Sequence, residues 1–146
     1  MKRRIPLATA LASVALALVL LSGFRMIAPT PTDQDPSRLA VLWTSGDPEV
    51  ATKVAFMYTL NAKRQGWFDE VTLIVWGPSS KLLSENTELQ EAVKGMAEVG
   101  VEVVACKACA DSYGVSDALA AIGVDVKYMG QPLTEMLKGD WKVITF

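Results

Sequence analysis

The two cysteines of the chain, Cys106 and Cys109, are the side chains best suited to nucleophilic chemistry. They stand three residues apart in the stretch VEVVACKACADSYGV, where a buried strand is predicted to give way to a helix. The unpaired N–H groups at the start of a helix favour a thiolate, and Lys107 supplies a neighbouring cation. The pattern therefore predicts a reactive thiol at Cys106.

The sequence contains no histidine, which restricts the chemistry that the thiols can perform. Without one, the chain cannot build the Cys–His pair of a cysteine protease. Two thiols also make a poor closed zinc site, because such a site normally needs four ligands. We therefore expect neither a metal nor another cofactor.

Less reactive interpretations of the cysteines stay open. Free cysteine is among the most buried residue types, so Cys106 is also compatible with a structural role at the end of an apolar strand. Cys109 lies one helical turn further on and is explained most simply as a small residue that packs under the helix. The C-x-x-C spacing is also found in thiol–disulfide exchange proteins, which makes Cys109 a candidate second thiol.

Short apolar runs alternate with helical patterns over most of the chain. The runs predict five strands, at Arg38–Trp43, Val71–Trp76, Val101–Cys106, Val124–Tyr128 and Lys142–Phe146. Continuous apolar runs are typical of strands that are covered on both faces. Segments with helical periodicity separate the strands, and this alternation indicates an α/β sandwich with a mostly parallel sheet.

Several polar residues mark the starts of the predicted helices. Asp47 precedes a proline and is predicted to cap the first helix. Thr87 and Gln90 have the spacing of a capping box, and Ser116 is predicted to cap a later helix. A further short helix is predicted at Leu133–Leu137.

Ligands of parallel sheets bind beyond the carboxyl ends of the strands, and Cys106 falls on this edge. Trp43 and Trp76 also end predicted strands. They are expected either to pack in the core or to line a pocket mouth or subunit contact. The turn TSGDP resembles an anion-binding turn but lacks the glycines and lysine of a P-loop, which favours a plain capped turn.

The first 24 residues have the pattern of an export signal. Three cations precede Ile5–Phe24, an uncharged run that as a helix would reach roughly 30 Å, the thickness of a bilayer core. Residues 1–24 are predicted to be a signal peptide or an N-terminal membrane anchor, and residues 25–37 a proline-rich tether. The domain at 38–146 is expected on the periplasmic or extracytoplasmic side, either anchored or secreted after cleavage.

The charge of the chain gives no reason to expect a nucleic-acid partner. Met1–Gly23 contains three of the 14 basic residues and none of the 16 acidic ones. The remainder therefore has 11 basic and 16 acidic side chains, a net charge of -5. Nucleic-acid binding normally requires a basic patch, and the sequence has no basic stripe.

Five blocks of the sequence together resemble the DsrE/DsrF-like family, namely LAVLWTSGDPEVATKVAFMYTLNAKRQG, VTLIVWGPSSKLL, GVEVVACKACADSYGV, LAAIGVDVKYMG and PLTEMLKGDWKVITF. The resemblance covers Arg38–Phe146. It implies a three-layer α/β/α sandwich with a five-stranded parallel sheet. It also implies homo- or hetero-oligomers, as trimers or hexamers, that pass sulfur between donor and acceptor proteins.

The resemblance also points to particular residues. Sulfur carriers of this family have a persulfide-forming cysteine at the end of the third strand and a glycine eight residues later. Cys106 and Gly114 match this pattern, whereas Cys109 stands where the carriers often have alanine. The resemblance thus favours a persulfide on Cys106, and the segment 76–78 (Trp-Gly-Pro) is expected to shape the rim beside it.

Two other functions stay open beside sulfur transfer. In the first, Cys106 and Cys109 form a reversible disulfide that exchanges with partner proteins. In the second, the domain is a non-catalytic oligomeric module that binds a small ligand or scaffolds a membrane complex.

Overall fold

The computed structural model describes residues 36–146, which form an α/β domain around one sheet. Its five strands are β1 (Arg38–Trp43), β2 (Glu70–Val75), β3 (Glu102–Cys106), β4 (Asp125–Lys127) and β5 (Trp141–Thr145). They lie in the order β4-β3-β2-β1-β5, and every neighbouring pair is parallel. The carboxyl ends of all five strands therefore meet at one edge of the sheet.

Helices fill every connection between the strands. They are α1 (Pro48–Val50), α2 (Met57–Arg64), α3 (Pro78–Glu85), α4 (Thr87–Glu98), α5 (Lys107–Tyr113), α6 (Ser116–Ala121) and α7 (Gly130–Lys138). A π-helical segment at Ala51–Phe56 joins α1 to α2. Helix α1, the π-helical segment and α2 follow one another without a break. Together they form one long helix whose middle part has the wider π-helical turn.

The chain order explains why the two faces of the sheet are covered unequally. The connections β1–β2, β2–β3 and β3–β4 all step in one direction, whereas β4–β5 steps back to the opposite edge. Because parallel crossovers are right-handed, opposite directions place helices on opposite faces. Helices α1 to α6 consequently lie on one face, and α7 alone covers the other.

The side chains of each strand alternate between these two faces. On the first face, Leu39, Val41 and Trp43 of β1 join a large core with the helices α1 to α6. On the second face, Ala40, Ile74, Val104, Cys106 and Met129 form a smaller buried cluster against α7. A fully buried aliphatic side chain contributes about 1.5–3 kcal/mol, so most of the stability of the domain comes from the first face.

The structure confirms the predicted α/β/α sandwich with five strands, and the sheet is entirely parallel rather than mostly so. Three predictions about helices are wrong. The cap of α4 is Asn86, whose side chain accepts a 3.0 Å hydrogen bond from the Leu89 N–H, while Gln90 reaches back to α3. Ser116 is the first residue of α6, so Val115 takes the cap position. Helix α7 is longer than Leu133–Leu137, because a proline in the first turn interrupts no backbone hydrogen bond.

The predicted signal or anchor at 1–24 lies outside the described residues, as does nearly all of the tether at 25–37. Within residues 36–146, no helix has the length and apolar character needed to cross a membrane.

Candidate functional site

A pocket of about 680 Å³ opens at the carboxyl ends of β2, β3 and β4. Its walls come from the residue after β2, the β3–α5 junction and the start of α7. The lining residues are Trp76, Cys106, Ala108, Cys109, Ser112, Tyr128, Met129, Gly130, Gln131, Pro132 and Glu135. Both cysteines therefore face one cavity, at the edge of the sheet where parallel α/β proteins bind ligands.

Three strand ends bring the pocket together. Val75, the last residue of β2, pairs with Ala105 of β3, so Trp76 follows beside Cys106. Cys106 itself pairs with Lys127, the last residue of β4. The residues that follow Lys127 therefore lie beside Cys106, on the side opposite Trp76. The pocket thus results from strand register and does not depend on a long loop.

Cys106 is both the last residue of β3 and the N-cap of α5. Its backbone is extended, with φ −68° and ψ 108°, as is usual for the residue that precedes a helix. Its side chain is 3% exposed and belongs to the buried cluster of the second face. The thiol is therefore shielded from bulk water but reaches the pocket wall.

Cys109 is the third residue of α5, and it is more exposed than Cys106. Side chains at the N-cap and at the third helical position approach each other, as in a capping box. The pKa of the Cys109 thiol lies above its ordinary value, first because burial disfavours the thiolate and second because the neighbouring Cys106 side chain disfavours it too. A hydrogen bond with the Gly77 backbone acts in the opposite direction.

Lys107, which was expected to provide a cation near the thiols, is directed elsewhere. Its ammonium group makes two 2.8 Å hydrogen bonds to the carboxylate of Asp111 and lies 5.9 Å from the ring centre of Tyr128. The backbone N–H groups of the first turn of α5 follow Cys106 directly and carry a partial positive charge.

The two tryptophans at strand ends have different surroundings. Trp76 lines the pocket, whereas Trp43 is fully buried on the first face. The Trp43 ring contacts Phe56 edge-on, with 4.8 Å between ring centres. Packing is thus the role of Trp43. In the TSGDP turn, the Asp47 carboxylate accepts a 2.7 Å hydrogen bond from the Glu49 N–H, which confirms it as a helix cap.

The family model of the DsrE/DsrF-like family matches residues 38–146, the whole sheet with its helices. The chain belongs to this family. The DsrE/DsrF-like domain is also similar to a solved structure of a conserved protein of unknown function from Bacteroides thetaiotaomicron. That similarity has 34% sequence identity and a TM-score of 0.72, and it covers 75% of this chain and 95% of the other.

A second solved structure, the ychN protein from E. coli, shares the fold of the DsrE/DsrF-like domain. Its TM-score is 0.59 at 16% identity, over 75% of this chain and 99% of that protein. No curated protein matches the chain.

Sequence reasoning missed four residues that line the pocket of the DsrE/DsrF-like domain, namely Ser112, Tyr128, Gln131 and Glu135. Ser112 was inside a predicted helix and had no distinguishing neighbour. Glu135 was also inside a predicted helix, whereas Tyr128 and Gln131 lie around the start of α7, which begins three residues earlier than predicted. The Gly-Gln-Pro sequence there was the available signal, because proline is well tolerated in a first helical turn. Across residues 36–146, no three potential metal-binding side chains of His, Cys, Asp or Glu come together.

Proposed function

We propose that the DsrE/DsrF-like domain accepts sulfane sulfur as a persulfide on Cys106 and passes it to a partner. The observation that carries the proposal is the position of Cys106, which ends β3 and lies in the wall of the pocket. Membership of the DsrE/DsrF-like family supports it, because the sulfur relays of that family use a cysteine in this position.

The transfer needs only a thiolate and a donor with a sulfur–sulfur bond. The Cys106 thiolate attacks the terminal sulfane sulfur of the donor, and the donor's sulfur–sulfur bond breaks. The shortened donor leaves with the bonding electrons, and Cys106 carries the added sulfur atom. A thiolate of the acceptor then attacks that outer sulfur, and the Cys106 thiolate is the leaving group.

The surroundings of Cys106 suit a group that must be kept from side reactions. Its 3% exposure limits contact with water and with large oxidants, while the pocket is open to a small donor. The N–H groups at the start of α5 and the side chain of Trp76 provide a polar and an apolar wall.

The experiment is intact-mass analysis of the full chain after incubation with inorganic polysulfide, before and after a reductant. We expect a gain of one sulfur atom that the reductant removes and that is absent in Cys106→Ser. Cys109→Ser serves as the matched control, since it removes the neighbouring thiol and should still load. Loading of Cys106→Ser to the wild-type extent would overturn the proposal.

Thiol–disulfide exchange is a second candidate, and the position of Cys106 and Cys109 in the wall of one pocket favours it. It requires both thiols, so Cys109→Ala would abolish turnover with a disulfide substrate. A simple persulfide carrier would tolerate that change. Unreactive thiols in both assays would leave the non-catalytic binding module as the function.

The partners and location of the domain stay predictions. We propose donor and acceptor proteins for the sulfur atom, assembly of the chain into an oligomer, and a place on the extracytoplasmic side of the membrane. Fractionation of cells that express the full chain tests the location, and light scattering of the purified chain tests the oligomer.

A further inference from the structure

We infer that Cys109 is a resolving thiol, which reduces the persulfide of Cys106 and releases its outer sulfur as hydrogen sulfide. This inference rests on the proposed function and adds an activity to it. A carrier keeps its sulfur until an acceptor arrives, whereas this site would discharge the sulfur by itself. The thiol of Cys109 takes the place of the acceptor.

The position of Cys109 in α5 carries the inference. Cys106 is the N-cap and Cys109 the third helical residue, a pair of positions whose side chains converge. Cys109 packs against the buried cluster that contains Cys106, and both cysteines line the same pocket. A disulfide needs Cβ atoms about 3.5–4.5 Å apart, and the convergence of the N-cap and third helical side chains favours such an approach.

The step balances without an outside oxidant. The thiolate of Cys109 attacks Sγ of Cys106, and the bond between that Sγ and the outer sulfur breaks. A Cys106–Cys109 disulfide forms, and the outer sulfur leaves with the bonding electrons as hydrosulfide. The sulfane sulfur is thereby reduced by two electrons, and the two cysteine sulfurs are oxidised by two. A dithiol reductant of the cell must then return the disulfide to two thiols.

The raised pKa of Cys109 gives this step a recognisable pH dependence. Only the thiolate attacks, and burial disfavours the thiolate of Cys109, which shares the pocket with the titratable groups of Cys106, Tyr128 and Glu135. Release should therefore be slow at neutral pH and should accelerate as the pH rises towards the pKa of Cys109. At neutral pH the persulfide would therefore persist, and a partner could still accept its outer sulfur.

The test uses the full chain, loaded with inorganic polysulfide at neutral pH and freed of excess donor. The sample is then brought to higher pH without reductant, and both hydrogen sulfide and protein mass are followed. We expect one hydrogen sulfide per persulfide, together with a disulfide between Cys106 and Cys109. Cys109→Ser and Cys109→Ala should load equally well but retain the sulfur until a dithiol is added.

The outcomes separate the two proposals. Loading of the wild type without any release, or equal release by the wild type and both Cys109 variants, would overturn the resolving role and leave the carrier intact. Absence of loading in the wild type and in both Cys109 variants would overturn both. Equal loading of the Cys109 variants also shows that their Cys106 stays reactive, so a lost release cannot be attributed to a missing persulfide.

Discussion

The hydroxyl of Ser79 donates a 2.6 Å hydrogen bond to the backbone carbonyl of Trp43, 36 residues earlier in the chain. The same hydroxyl accepts a 2.9 Å hydrogen bond from the N–H of Trp76. Ser79 is fully buried at the start of α3. One side chain thus fastens the ends of β1 and β2 to the helix that follows, next to the pocket.

Ser79→Ala should lower the free energy of unfolding by about 1–2 kcal/mol, because two buried hydrogen bonds are lost. Ser80 is an internal control, since it is equally buried but its hydroxyl has no partner among the described residues. Ser80→Ala should leave stability unchanged or raise it by up to about 1 kcal/mol. Urea unfolding of the full chain measures both, and equal losses in the two variants would contradict this account.

Gly77 precedes α3 with φ +69° and ψ −131°, a backbone conformation that strains any residue with a Cβ. Gly77→Ala should therefore destabilise the domain by about 1–3 kcal/mol. The matched change is Gly95→Ala in α4, where an added Cβ meets open space. That variant should be more stable by about 0.5–1 kcal/mol, because alanine is the better helix former. Thermal unfolding that ranks the two variants in the reverse order would refute the argument.

The pH midpoint for alkylation of the Cys109 thiol should be higher in the folded than in the unfolded chain, because burial raises the pKa of this thiol. Cys106→Ala removes one cause of the raised pKa and should move the alkylation midpoint part of the way back down. Mass spectrometry of the iodoacetamide adduct over a pH series gives both midpoints, with the urea-unfolded chain as reference. A midpoint below that of the unfolded chain would contradict the burial argument.

The same raised pKa has a consequence for stability, whose sign follows from proton linkage. The folded chain keeps the Cys109 proton to a higher pH than the unfolded chain does. Its stability should therefore fall as the pH rises through the interval between the two pKa values. In Cys109→Ser, urea unfolding should lack this component of the alkaline loss.

The fold could be predicted from the sequence because the strands of a parallel sheet have a simple sequence pattern. Buried strands such as Arg38–Trp43 are continuous apolar runs, and glycine or proline marks their ends. The strand order also places Cys106 at the edge where ligands bind. What the sequence could predict of the site was therefore the position of Cys106, together with Cys109 and Trp76 as candidate neighbours.

The rest of the site depends on contacts that have no periodic pattern. Trp43 and Trp76 are equivalent in sequence, each at the end of an apolar strand, yet only Trp76 reaches the pocket. Thr87 and Gln90 have the spacing of a capping box at the start of α4, but the side chain of Asn86 forms the cap instead. The ammonium group of Lys107 forms an ion pair with the carboxylate of Asp111, one helical turn later. It is therefore directed away from the thiols.

The pairing of β5 with β1 has a consequence for synthesis of the protein. β1 is the first strand to leave the ribosome, and β5 leaves it after the other four. Until then, one edge of β1 lacks its hydrogen-bonding partner, and an unpaired edge invites pairing with other chains. We expect nascent chains halted before Trp141 to bind chaperones strongly, and the completed chain to be released from them.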